Sequence, residues 1–249
     1  MEKMVLAFFV LFSGINVARA QTQAPAQPTL LKAASLSKIN QRTLVRDSAG
    51  KRYDYTAWSS MVASGRYGIK VVTFPNEKPS LVLSKLTNEE RAEVMAQSPK
   101  PEPSTYFKTG DVLRHFREND LSGVECDTKK MTGKILVINF CDLKNSSSLR
   151  AIPDLNDLAQ SYQNNADVVF MAIPVDNKGD VEDILKTMPF KFRLINRGRA
   201  LSAKLNVAAY PTYLIVDQKG LVQYHSTGYT PSTYYWMGKA IDEMKLASK

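Results

Sequence analysis

Cysteine and histidine are scarce here. The 249 residues hold two of each: Cys126, Cys141, His115 and His225. Two cysteines cannot staple a disulfide framework, and with so few imidazoles their spacing forms no zinc-ligand pattern. The same shortage counts against a serine nucleophile, because a hydroxyl needs a positioned base and neither histidine falls in a recognisable triad. Long apolar runs are missing too. Beyond the first twenty residues no stretch approaches a membrane span. The net charge of +9 comes without a dense basic block. It therefore reads as solvated surface lysine, with acidic partners or anionic surfaces as the other reading. The residues call for no metal and no cofactor.

What is present begins with a targeting signal. Lys3 precedes an apolar run from Val5 to Val17, and Ala18-Arg19-Ala20 is a small-x-small cleavage site. Residues 1–20 thus read as a signal peptide, with Gln21 first in the mature chain. This places the protein in the periplasm or cell envelope and argues against nucleic acid as a partner. Residues 21–43 are rich in Gln, Ala and Pro and read as a flexible leader. Residues 44–109 read as a small α+β module. It has a helix ending at Gly65, strands at Val71–Phe74 and Leu81–Leu83 around a Pro75-Asn76 turn, and a helix from Thr87 to Met95. There Thr87 and Glu90 form a capping box. Pro99, Pro101 and Pro103 make a stiff connector.

Residues 110–249 alternate strands with helices and end in a hairpin around Asp217–Gly220. That pattern implies a mixed central sheet covered on both faces. Its centre is the stretch KILVINFCDLKNSSSLRAIP, Lys134 to Pro153. Ile135 to Phe140 is a buried strand. Leu149, Ile152, Leu155, Leu158 and Tyr162 recur at helical spacing, and Asn-Ser-Ser-Ser between them suits a helix start.

This stretch resembles the junction of the TlpA-like thioredoxin-fold, or redoxin, proteins, N-F-W-A-x-W-C-x-P-C-R-x-E-I-P. Asn139, Phe140, Ile152 and Pro153 match its two ends. The family's redox cysteines fall on Asn145 and Ser148, its intervening proline on Ser147 and its second tryptophan on Lys144. Tyr210-Pro211-Thr212 lies where the family places a cis-proline. The resemblance implies an α/β thioredoxin-like fold from Gly110 onward. More weakly, Asp47–Gly50, Trp58, Ser64–Tyr67 and Pro99–Gly110 resemble the N-terminal extension of some envelope redoxins.

Thiol–disulfide exchange needs a thiolate and a resolving thiol, and neither Asn145 nor Ser148 supplies one. The resemblance then implies a non-catalytic protein that binds an extended peptide or another envelope protein. Its candidate groove comprises Lys144, Asn145, Ser146, Ser147, Ser148, Tyr210, Pro211 and Thr212. The alternative is a thiol–disulfide oxidoreductase working through Cys126 and Cys141 or through a partner's thiols. Those two cysteines read as buried hydrophobes, with a structural disulfide or a redox pair as the other readings.

Overall fold

A computed structural model describes residues 28–31, 33–36, 38–73 and 78–247. The expected signal peptide, Phe74 and the Pro75-Asn76 turn lie outside them.

The first part of the chain runs β1 (Thr29–Leu30), α1 (Ala33–Leu36), β2 (Val45–Asp47), β3 (Arg52–Tyr53), α2 (Tyr55–Ala63), β4 (Tyr67–Val72), β5 (Ser80–Lys85) and α3 (Asn88–Ala96). Its five strands form one sheet in the order β1-β4-β5-β2-β3. Val45, Trp58, Ile69 and Leu83 fill its small core. The two longer helices, α2 and α3, start as local chemistry dictates. Asp54 accepts from Ala57 N–H at 2.8 Å, and Thr87 and Glu90 exchange both capping-box bonds. Gly65, at φ 71°, turns the chain from α2 into β4.

Two expectations need correcting here. Part of the supposed leader is built into this sheet: Thr29 and Leu30 pair with Val71 and Lys70, and Leu31, Leu36 and Ile39 pack on the core. The apolar residues in that stretch outweigh its Gln/Ala/Pro composition. Strand β4 also starts earlier than the apolar run predicts, at Tyr67, because Gly68 admits the close approach of Leu30 and Leu86.

The second part comprises β6 (Arg117–Asn119), β7 (Glu125–Asp127), a 3-10 turn at Thr128–Met131, β8 (Ile135–Cys141), α4 (Ser146–Ser161), β9 (Val168–Pro174), α5 (Lys178–Thr187), β10 (Arg193–Leu194), α6 (Gly198–Lys204), β11 (Thr212–Val216), β12 (Val222–Thr227) and α7 (Thr233–Ala247). Its main sheet is mixed, with strand order β10-β9-β8-β11-β12. β8 pairs parallel to β9 and antiparallel to β11. Strand periodicity then sorts the core. Ile135, Val137 and Cys141 join the cluster under α4 and α7, while Leu136, Ile138 and Phe140 join the cluster on the opposite face. Both edges of this sheet are covered, which protects them from pairing with another chain. Asn119–Leu121 runs along β10, and the connector from Glu102 to Leu113 runs along β12.

Candidate functional site

The loop from Asp142 to Asn145 carries β8 into α4, and every polar residue in it has a structural task. Asn145 is the N-cap: its Oδ1 accepts from Ser147 N–H at 2.8 Å, and its carbonyl accepts from Leu149 N–H. Ser148 is buried, and its hydroxyl accepts from Asp142 N–H at 3.3 Å. Asp142 and Asp176 each accept a loop amide, from Lys144 at 2.9 Å and from Leu143 at 2.7 Å. Lys144 is exposed, and its ammonium lies 2.7 Å from Asp180. The Asp180 carboxylate raises the Lys144 pKa. No thiol lies at this helix start.

The ladder brings the Tyr210 loop to the same place. Thr212 stands opposite Phe140, so the residues leading into β11 flank the end of β8. The Tyr210–Pro211 peptide is cis. The Pro211 carbonyl accepts from Gly228 N–H at 2.8 Å. Neither the N–H nor the carbonyl of Tyr210 bonds another main-chain group among the described residues.

The eight sequence-derived groove residues divide by exposure. Lys144, Asn145 and Ser146 are exposed, Ser147 and Tyr210 are half-buried, and Ser148, Pro211 and Thr212 are buried. Thr212 Oγ1 bonds inward, to Ala209 O at 2.8 Å and Thr227 Oγ1 at 3.1 Å. A contacting ligand therefore reaches the first five. Lys144 also lines a polar cleft of about 480 Å³, together with Asp142, Asp176, Asn177, Arg197 and Arg199. Tyr210 does not line it.

The cysteines follow the first of their readings, as buried hydrophobes, and the structural disulfide held open beside it is not formed. Both are free and buried. Cys141 packs in the cluster under α4 and Cys126 in the cluster on the other face, so the sheet separates them and no disulfide joins them. Cys126 Sγ instead lies 3.3 Å from Met171 Sδ. Burial pushes both thiols up, which disfavours the thiolate each would need. The histidines stand apart from the serines of the helix start: His115 bonds Thr128 at 3.0 Å, and His225 lies on β12.

One constellation was missed by the sequence reading. Asp154, 1% exposed, sits on the inner face of α4. Its Oδ1 lies 2.6 Å from Arg66 and 2.7 Å from Arg91. Its Oδ2 accepts from the Tyr229 hydroxyl at 2.6 Å. Arg91 also donates to Gly65 O at 3.1 Å and stacks 3.9 Å over the Tyr234 ring. Asp157 adds a more exposed contact to Arg66 at 2.8 Å. Burial and the Asp154 carboxylate push the Tyr229 phenol up, so it remains a donor. The signal was present in the spacing. Asp154 falls on the stripe of Ala151 and Leu158, and Arg91 on the stripe of Met95. A charge placed on an apolar stripe demands a buried partner.

Residues 133–222 match a family model described as thioredoxin-like. The chain is 24% identical over 119 residues to the thioredoxin-like protein YneN of Bacillus subtilis (strain 168), spanning 47% of this chain and 70% of that protein. A solution structure of a candidate protein disulfide isomerase from Bacteroides thetaiotaomicron superposes with TM-score 0.53 at 18% identity, covering 57% of this chain and 93% of that one. A crystal structure of a candidate thiol:disulfide interchange protein DsbE from Chlorobium tepidum gives TM-score 0.48 at 20% identity, covering 57% and 97%.

Proposed function

Residues 133–222 match the thioredoxin-like family, and from that premise we propose that the chain is an exported, non-catalytic redoxin-like protein that holds an extended polypeptide between the start of α4 and the Tyr210 loop. The observation that carries this reading is the Tyr210 main chain, which bonds no other main-chain group among the described residues, set beside a helix start where Asn145 and Ser148 stand and no thiol does. An extended ligand pairs through its own N–H and C=O groups, as in strand addition, and that pairing needs no sulfur chemistry. The exposed Asn145 and Ser146 supply further donors and acceptors.

A carboxymethylated, unfolded polypeptide is a suitable probe. Calorimetry is expected to give saturable binding to the mature chain, and absence of any binding at millimolar probe would remove the reading. Insulin-type disulfide reduction is expected to stay at background, because the exposed groove residues include no thiol and the two cysteines are core groups. Turnover that survives removal of contaminating oxidoreductases would contradict this.

Export is the second part of the proposal. Sequencing the N-terminus of the protein extracted from the cell envelope is expected to begin at Gln21, after Ala18-Arg19-Ala20. An intact Met1 end would instead make residues 1–20 an anchor.

A further inference from the structure

We infer that the N-terminal module is a brace for the groove, acting through Arg66 and Arg91 on Asp154. Both walls of the groove lead to that carboxylate. One wall is the start of α4, and Asp154 lies on the same helix as the Asn145 cap. The other wall is the Tyr210 loop. The Pro211 carbonyl is held by Gly228 N–H at 2.8 Å, and the next residue, Tyr229, donates its hydroxyl to Asp154 at 2.6 Å. Asp154 therefore ties the two walls together from behind. It carries a negative charge in a buried place, and both cations that balance it come from the module: Arg66 just before β4 and Arg91 in α3.

The position of the node in α4 adds to its influence. Pro153 precedes Asp154 inside the helix. A proline has no N–H to give to the preceding turn and loosens the helix there. The first turns of α4, which end in the groove, thus depend less on the helix ladder and more on side-chain anchoring. Arg91 is itself fixed by Gly65 O and the Tyr234 ring, so the brace is anchored at both ends. Arg66, Arg91, Asp154 and Tyr229 are positioning residues that need not touch the ligand.

The inference rests on the groove reading only for what the brace serves, so its test uses no ligand. Hydrogen exchange is measured at the amides of Gly228, bonded to Pro211 O, and Leu149, bonded to Asn145 O. Ile138 in the central strand serves as reference. In Tyr229→Phe and in Arg66→Gln, protection at Gly228 and Leu149 is expected to fall about tenfold to a hundredfold relative to Ile138. That is the factor corresponding to one lost hydrogen bond to a charged group. Tyr229→Phe keeps the ring and Arg66 is partly exposed, so both variants are expected to fold. If the two amides keep their protection relative to Ile138 in both folded variants, or if Arg66→Gln alters only amides within the module, the brace is refuted. If the amides respond as expected and the carboxymethylated polypeptide still fails to bind the unaltered chain, the brace stands and the groove reading falls.

Discussion

Replacing Asp154 with alanine is expected to cost about 3–5 kcal/mol, the usual result of breaking one side of a buried ion pair. The cost arises because Arg91, with only 8% of its side chain exposed, would keep its charge with its closest carboxylate gone. Tyr229 would also lose its acceptor. Asp157 is a poor substitute, lying 3.4 Å from Arg91 and being half exposed. Against a typical domain stability of about 5–15 kcal/mol, this is a large fraction. Urea denaturation measures it, and a loss under about 1 kcal/mol would show that the node contributes little. The double replacement Arg91→Met with Asp154→Leu is expected to recover much of the loss, because removing both charges leaves neither one stranded. Recovery would separate the charge from the shape of the site.

The second large effect is a gain. In Asn145→Cys/Ser148→Cys, the scaffold around the helix start is retained and the thiols are supplied. Position 145 is exposed at the N-terminus of a sixteen-residue helix, where unpaired amides and the helix dipole favour an anion. Position 148 is buried one turn on, beneath the loop. A thiol at 145 is expected to titrate near or below ~7 instead of ~8.5, which raises its thiolate fraction at neutral pH from a few per cent to about half. The pair is expected to oxidise to a disulfide, and the variant to reduce insulin where the unaltered chain does not. Loss of the Asn145 cap is expected to lower stability by about 1 kcal/mol. An introduced thiol that titrates at its ordinary value, or fails to pair under mild oxidation, would mean that the loop has drifted from a redox-competent shape.

Much of the second part of the fold was legible because its signals are local. The buried strand starting at Ile135, the Asn-Ser-Ser-Ser helix start and the Asp217–Gly220 hairpin turn each follow from periodicity, capping or turn chemistry. The Thr87–Glu90 capping box was legible for the same reason. What escaped depends on contacts distant in sequence. Thr29–Leu30 becomes a strand only because β4 offers an edge. Ser148 and Thr212 look like groove residues in sequence, yet loop and ladder geometry turn their hydroxyls inward. A Cys126–Cys141 disulfide stays open in sequence, yet Cys141 on β8 packs under α4 while β7 sets Cys126 in the core on the other face of the main sheet. The Asp154 node joins residues 63 and 88 positions apart, and only the misplaced charges on two helical stripes hinted at it.

The claim that an extended polypeptide lies between α4 and the Tyr210 loop is most directly tested by amide chemical shifts during titration with the carboxymethylated polypeptide. The predicted result is a saturable perturbation of Asn145, Ser146, Ser147, Ala209 and Tyr210, with the core strand Ile135–Cys141 unmoved. Perturbations confined to residues 44–109, with the helix start and Tyr210 silent at saturation, would contradict it and move the contact surface to the module.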